Sequence, residues 1–439
     1  MSRERVPAVG GTRDVPAPDA VARDYILLGL RLDQHLSGTV DGYFGPAELK
    51  AKVDMEQLRS PARLAEDAAA LRSRLEAEVR DPDRRHWLDL QLVALETLAR
   101  VKAGETIAYL DQVARCLTLH PERRPDARFE EAAARLEAAL PGAGTLAERL
   151  AAEDAAWTVP SERVSAVIDV LVSRFRDRAA ARFGLPEGEA LRVSLVRDQP
   201  WSGYNWYDGG FRSRVDLNLD LPIRLPTLVA TMAHETYPGH HLEHATKEQV
   251  LVEELGRLEA SILLINTPEC LISEGLGNAG IAFAVPPDEM AGLLVELAPV
   301  AGLSMAQERD ALLAAAARHS AVAEQRARLT ETRINAALML HVDGVSLDRA
   351  IAYQVEVGRA NPDTAAKRVE FISHPLWRLY DYVYTEGEAL LTAWLDLVPP
   401  ADREARFGRL LREQLTPPAI RTEMAAATSG DRPMESGRV

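Results

Sequence analysis

Hydrophobic residues recur at helical spacing along most of the chain. The first helix is predicted to begin at Asp24 and to end near Ser37-Gly38, because apolar residues three and four apart share one helix face. Its apolar positions are Ile26, Leu27, Leu30, Leu32 and Leu36. A Gly- and Pro-containing stretch at 41–46 predicts a loop. Amphipathic helical patterns then fill 47–155 and 159–185.

The pattern changes from period 3.6 to alternation between residues 190 and 222, which predicts a small β element of two or three strands. Helical spacing resumes after Pro226 and continues to about Leu411. The predicted fold is therefore mainly α, a large multi-helix body with a small β element just before the helix that carries the candidate chemistry. We divide the chain into a flexible arm (1–20), an N-terminal helical scaffold (21–155), a metal-binding catalytic region (156–429) and a tail (430–439).

Composition narrows the classes of function. The 439 residues include 51 Lys and Arg against 66 Asp and Glu, a net charge of −15. Nucleic acids and anionic membranes need clustered basic residues, so neither is expected as a partner. No apolar run reaches the roughly 18 residues of a membrane span, and the N-terminus lacks the apolar core of a signal peptide. Cys116 and Cys270 show no metal-binding or disulfide spacing. We expect a cytoplasmic protein.

Four of the ten histidines lie between residues 234 and 244, in the string His-Glu-Thr-Tyr-Pro-Gly-His-His-Leu-Glu-His. The apolar run Leu228–Ala230 precedes it, which places His234 and Glu235 on a half-buried helix. Buried His and Glu side chains need hydrogen bonds or a metal. In the HExxH motif, two histidines four apart bind zinc and the adjacent Glu acts as general base.

Here Pro238 and Gly239 stand between the two halves of that motif, as though two residues were inserted. Proline kinks a helix and glycine allows unusual dihedrals, so a bulge would return His240 to the face of His234. We predict His234 and His240 as zinc ligands, with His241 as the alternate second ligand. His244 is predicted to support the site or the core.

A catalytic zinc needs a third protein ligand and an open position for water. Glu274 is the best candidate, because it lies in a stretch of apolar and small residues where an acid is poorly placed for solvent. Its rivals Glu253, Glu254 and Glu259 have an ordinary charged-helix context. One zinc ion per chain is expected, although manganese, cobalt or iron would also accept His and Glu ligands.

The chain resembles a bacterial family catalogued as a domain of unknown function, whose signature is HExxPGHH followed by a downstream Glu-Gly. Members of that family are regarded as zinc metallopeptidases of the gluzincin kind. The resemblance extends to the segments at 28–46 and 205–245, to Arg333 and His341, and to the late Tyr384-x-x-Gly387. The chain departs from the family pattern at Leu276, where an aromatic residue is usual, and at Ala337 and Met339, where Asp and Gly are frequent.

The predicted function is zinc-assisted hydrolysis of a peptide or a small amide, with Glu235 as general base for the attacking water. His341 and Tyr384 are predicted to stabilise the oxyanion, with Tyr380, Tyr382 and His374 behind them. Arg333 and Tyr237 are predicted to contact the substrate. Two alternatives stay open at this level, a zinc hydrolase of a non-peptide amide or ester and a helical binding or scaffold protein with a degenerate site.

Overall fold

The computed structural model describes residues 19–199, 201–303 and 308–429. Within these residues it contains nineteen α-helices and five short strands, so the predicted mainly-α class is confirmed. The predicted tail and most of the predicted arm lie outside the described residues. Asp19 and Ala20, assigned to the arm, instead begin the first helix, since the Asp19 carboxylate accepts from the Ala22 amide at 2.8 Å and caps it.

Eight helices and one strand form the N-terminal part. They are α1 (Ala20–Asp33), β1 (Val40–Tyr43), α2 (Ala47–Met55), α3 (Pro61–Glu78), α4 (Pro82–Lys102), α5 (Tyr109–Leu117), α6 (Asp126–Ala139), α7 (Leu146–Ala156) and α8 (Ser161–Phe183). Helices α3 and α4 pack against each other, and α1 packs on both. Side chains of Ser60, Asp81 and Thr145 cap α3, α4 and α7.

A three-stranded sheet follows. It consists of β2 (Ala190–Val196), β3 (Gly203–Gly209) and β4 (Arg212–Asn218), in the order β2-β4-β3. Strand β4 pairs with β2 in parallel and with β3 antiparallel. This confirms the β element predicted at 190–222. The sheet leads directly into α9, which carries the first histidine of the motif.

The rest of the described chain is mostly helical. It contains α9 (Leu225–Glu235), α10 (His240–Lys247), a π-helical segment (Glu248–Glu254), β5 (Ile262–Leu264), α11 (Pro268–Ala284), α12 (Pro287–Leu297), α13 (Arg309–Thr330), α14 (Thr332–His341), α15 (Leu347–Glu356), α16 (Pro362–Ser373), α17 (Asp381–Leu395), α18 (Arg403–Arg412) and α19 (Pro417–Ser429). Short 3₁₀ turns lie at Leu258–Ser261, Trp377–Leu379 and Pro400–Asp402. Helices α11 and α17 pack closely, and α11 also packs on α9.

One buried apolar cluster draws its side chains from α1 near the N-terminus through to α19, so it combines residues from both predicted regions, 21–155 and 156–429. Among its fully buried large side chains are Tyr25, Trp157, Tyr382 and Trp394. The division at residue 155 stays a prediction. In the described part of the chain, no helix combines the length and apolarity needed to cross a bilayer.

Two sequence predictions about residues 33–46 are wrong. The first helix ends at Asp33 rather than near Ser37-Gly38, because the Asp33 carboxylate accepts from the amides of Gly38 and Val40 at 2.9 and 3.1 Å and turns the chain. The predicted loop at 41–46 contains part of strand β1, which pairs antiparallel with β5. Neither strand has a local pattern that reveals it, since each is four residues or fewer and its partner is over 200 residues away in sequence.

Candidate metal centre

His234, His240 and Glu274 bring one ligand atom each to a common point. Nε2 of His234 lies 3.4 Å from Oε2 of Glu274, and Nε2 of His240 lies 3.8 Å from the same oxygen. The three ligand atoms all lie within 4.8 Å of one another. Glu235 and Tyr384 line the same cleft as these three residues. The set therefore has the two imidazoles and one carboxylate of a catalytic zinc site, with the cleft beside it.

The Pro-Gly insertion places His240 by breaking the helix. Helix α9 ends at Glu235 and α10 begins at His240, with the Gly239 amide donating back to the Ala233 carbonyl at 3.1 Å. A Cβ on Gly239 would lie 1.8 Å from the carbonyl oxygen of His234. The turn is therefore so tight that only glycine fits, and this tightness is what sets the two imidazole rings 4.6 Å apart.

The other ring nitrogen of each candidate ligand faces an oxygen. Nδ1 of His234 lies 3.1 Å from Oδ1 of Asn278, and Nδ1 of His240 lies 3.3 Å from Oε2 of Glu243. Each Nδ1 can donate its hydrogen there, which leaves the Nε2 lone pair directed at the common point. Gly277 makes room for this arrangement, because a Cβ there would lie 2.6 Å from Cε1 of His234.

Glu274 is buried, and only one of its oxygens has a hydrogen bond. Oε1 accepts from the Tyr380 hydroxyl at 2.7 Å, whereas Oε2 has no hydrogen-bond partner among the described residues. Such an oxygen is costly unless something positive binds it. Oε2 is also the oxygen that faces both imidazoles, so the donor set and the unsatisfied atom together fit a metal ion.

The electrostatics favour positive charge at the same point. Burial alone would raise the pKa of Glu274, but His234 and His240 outweigh it and hold that pKa well below its usual range. Burial alone would lower the pKa of His240, yet Glu243 and Glu274 raise it well above its usual range. Both shifts favour a cation between the rings and the carboxylate. A metal ion supplies that charge in place of a proton.

A close contact between two helices holds the tyrosines near Glu274. A Cβ on Gly275 of α11 would lie 2.6 Å from the carbonyl carbon of Gly387 on α17, and a Cβ on Gly387 would lie 2.4 Å from the Leu271 carbonyl oxygen. The two backbones therefore touch without side chains between them. This contact brings Tyr380 and Tyr384, whose rings lie 5.3 Å apart, to the cleft.

Strand β3 forms another part of the cleft wall. Gly203, Tyr204 and Asn205 line it, and the Asn205 side-chain amide donates to the Glu235 carbonyl at 2.7 Å. The rings of Trp201 and Trp206 lie 5.8 and 4.4 Å from that of Tyr204. Tyr204 thus lines the cleft with two tryptophan rings packed beside it.

Two predicted residues point away from this centre, into a separate buried network. Nε2 of His241 lies 2.9 Å from Oε2 of Glu189, its Nδ1 lies 2.8 Å from Oγ of Ser213, and the Tyr237 hydroxyl donates to Glu189 at 2.6 Å. Burial would raise the pKa of Glu189, but hydrogen bonds from His241 and Tyr237 hold it at about 2. The structure thus corrects the alternate ligand His241 and the substrate contact Tyr237, because both side chains are committed to Glu189.

His341 and Arg333 also lie outside the residues that line the cleft. The His341 ring stacks on Tyr109 with centroids 4.4 Å apart, and its Nε2 lies 2.7 Å from the Ile372 carbonyl oxygen. The Arg333 guanidinium lies 3.2 Å from the Asp381 carboxylate. The structure therefore corrects both predicted roles, since each side chain is bound to neighbouring helices rather than directed at the cleft.

Several residues of the centre escaped the sequence interpretation. Asn278 and Glu243 support the histidines, and Asp41 lines the cleft from β1. His244, which the sequence did indicate, forms a second group of ligand atoms with His240 and Glu243. Asn278 lies four residues after Glu274, and Glu243 lies three residues after His240. Each is one helical turn from a ligand, so helical spacing was the sequence signal that could have identified them. No sequence signal indicated Asp41, because its position in the cleft depends on an irregularity in the pairing of β1 with β5.

Comparison with known proteins supports the fold and gives no information about function. No family model matches the chain, and no curated protein matches it. A solved structure, described as "the putative lipoprotein from Colwellia psychrerythraea", is similar with a TM-score of 0.50 and 14% sequence identity over 84% of this chain and 68% of that one. At this identity the likeness concerns the architecture and carries no information about the reaction.

Proposed function

We propose that this protein is a zinc-dependent hydrolase that cleaves peptide bonds. The observation that carries the proposal is the meeting of His234, His240 and the unsatisfied Oε2 of Glu274 beside Glu235 in one cleft. These three residues would hold a zinc ion, which when bound would polarise the substrate carbonyl as a Lewis acid and lower the pKa of a bound water. The set of two histidines, one glutamate ligand and one glutamate base is consistent with the sequence resemblance to gluzincin-like peptidases.

The chain's own residues provide the proton transfers. Glu235 follows the ligand His234 directly and lines the cleft, so it is placed to accept a proton from the attacking water and to return it to the leaving amine. Burial, followed by Glu274 and Glu235, raises the pKa of Tyr384 well above its usual range. The hydroxyl therefore keeps its proton and can donate a hydrogen bond to the carbonyl oxygen as negative charge develops there.

Glu235→Gln tests the proposal. This variant keeps the size and loses the base, so we expect it to retain zinc and to lose at least about 100-fold in turnover of a fluorogenic peptide library. Glu254→Gln is the matched control, because Glu254 is an exposed glutamate outside the cleft.

Three results would count against parts of the proposal. Equal turnover by the wild type and Glu235→Gln would refute the base. Cleavage of aryl esters or non-peptide amides but of no peptide would keep the metal chemistry and change the substrate class. An absence of hydrolysis with zinc bound would overturn the enzymatic function.

A further inference from the structure

Asp41 enters the cleft from a β-bulge. Val40 lies opposite Leu264 and Gly42 lies opposite Leu263, so Asp41 is an extra residue on β1 with no partner of its own on β5. A bulge re-aims the side chain of the extra residue. Asp41 lines the same cleft as His234, although it takes no part in the group of metal-ligand atoms.

Tyr204 on strand β3 holds this carboxylate in place. Its hydroxyl donates to Oδ1 of Asp41 and lies 3.2 Å from the Asp41 backbone carbonyl. The Tyr204 ring has Trp206 and Trp201 as neighbours on β3 and the loop before it, and Phe44 lines the cleft close to Asp41 in sequence. Tyr204 and Phe44 thus bring aromatic rings to the same cleft as the Asp41 carboxylate, a combination that binds ammonium and guanidinium groups.

Asp41 differs from Glu243 and Glu259, two other acids of the cleft, in lacking a cationic partner. Lys247 forms an ion pair with Glu243 at 2.7 Å, and Arg84 forms one with Glu259 at 2.7 Å. No Lys or Arg of the described chain forms an ion pair with Asp41. Lys247, which lines the cleft, and Arg84, the partner of Glu259, are thus already neutralised, so neither is available to Asp41 and a positive group from outside can bind it.

The pKa of the Asp41 carboxyl is raised but lies below neutral pH. Desolvation in the cleft raises its pKa, as do the nearby carboxylates Glu274 and Glu235, and the resulting value is about 6. An unpaired negative charge is therefore present on the wall of the cleft under the conditions in which a hydrolase of this kind is assayed.

We propose that Asp41 and Tyr204 form a subsite for a positively charged group of the substrate, either a free α-ammonium group or a basic side chain. This inference rests on the proposed function, because it assigns a substrate class to the same cleft. The cation would lie against the Asp41 carboxylate and the Tyr204 ring while the carbonyl to be cleaved reaches the metal centre. Asp41 is thus a specificity-determining residue, and the metal ligands and Glu235 perform the reaction.

The test uses binding, so that it does not depend on turnover. Zinc-loaded full-length Glu235→Gln is titrated in a calorimeter with three probes, which are Leu-Phe amide, N-acetyl-Leu-Phe amide and N-acetyl-Lys-Phe amide. Asp41→Asn is then added to this background. The matched control is Asp208→Asn, which removes an exposed carboxylate of β3 outside the residues that line the cleft.

We expect at least one cationic probe to bind about tenfold or more tightly than the neutral acetyl-Leu probe, as for a hydrogen bond to a charged group. Asp41→Asn should abolish that preference and Asp208→Asn should keep it. A preference for Leu-Phe amide identifies the α-ammonium group, and one for the acetyl-Lys probe identifies a basic side chain.

Equal binding of the three probes, binding of none, or a preference that survives in Asp41→Asn would overturn the proposal. If Asp41→Asn does not fold, the comparison of the three probes on Glu235→Gln alone still shows whether the cleft prefers a cationic ligand. If the cationic probes bind preferentially but the wild type hydrolyses no substrate, the subsite is supported and the hydrolase function is refuted. Failure of the subsite and failure of the proposed function are therefore distinguishable.

Discussion

Replacing Gly239 by alanine should destroy the metal centre while leaving its ligands in the sequence. The added Cβ would lie 1.8 Å from the His234 carbonyl oxygen, 2.5 Å from its carbonyl carbon and 2.6 Å from the Ala233 oxygen. All three are backbone atoms of α9, so no side-chain rotation relieves the overlap. The turn between α9 and α10 must open instead.

The size of that opening follows from the distances. Ordinary contact begins at 3.4 Å, and the Cβ starts at 1.8 Å, so the turn must open by about 1.6 Å. Metal–ligand distances tolerate only about 0.2 Å. Because even the loss of a hydrogen bond to a metal ligand costs about 10–100-fold in metal affinity, displacement of the ligand His240 by this amount should weaken zinc binding by at least about 100-fold.

The assay is zinc affinity by competition with a chromophoric chelator, with far-UV circular dichroism to verify folding. Gly280→Ala is the control, since its Cβ would lie 3.5 Å from Pro238 Cγ on the other side of the same turn. That variant should bind zinc within about threefold of the wild type, because the contact is an ordinary one. A folded Gly239→Ala variant with wild-type zinc affinity would refute the role assigned to the turn.

Three further changes have defined outcomes. Tyr380→Phe removes the hydrogen bond to Glu274 and should reduce zinc affinity about tenfold in the same competition assay; unchanged affinity would contradict that role. Glu189→Gln should lower stability by up to about 3 kcal/mol at pH 7. Because the pKa of Glu189 is held at about 2, this contribution is present above about pH 4.5, the ordinary value, and disappears as the pH falls towards 2. Thermal melts of the variant and wild type should therefore differ at pH 7 and converge at low pH; a gap that does not depend on pH would count against the pairing with His241. His341→Phe keeps the surface that stacks on Tyr109, so kcat should stay within about threefold of the wild-type value. A loss of about 100-fold in kcat would show that His341 takes part in the reaction after all.

The sequence was most informative where the pattern is local. Helical periodicity predicted the mainly-α class, and alternation over 190–222 predicted the three-stranded sheet. The string from His234 to His241 predicted a kink with a bulge at Pro238 and Gly239, and in the structure the helix ends at Glu235 and a new one begins at His240. Glu274 stood out because an acid among apolar and glycine residues needs a partner, and in the fold it faces the two imidazoles.

Contacts between distant segments could not be predicted in the same way. Strands β1 and β5 are too short to produce a pattern, so Asp41 was assigned to a loop. His341 and Arg333 matched the family by position, but helix packing commits them to Ile372 and Asp381. His241 lies next to His240 in sequence, yet successive residues of a helix point about 100° apart, and it turns to Glu189.

Zinc content is the most direct test of the metal centre. The wild type, His240→Ala and His241→Gln are purified without a chelator or a histidine tag, loaded with zinc, dialysed and analysed for metals. We predict about one zinc per chain in the wild type and in His241→Gln, and a loss of bound zinc in His240→Ala. A wild type without bound zinc, or zinc lost from His241→Gln and kept by His240→Ala, would contradict the assignment.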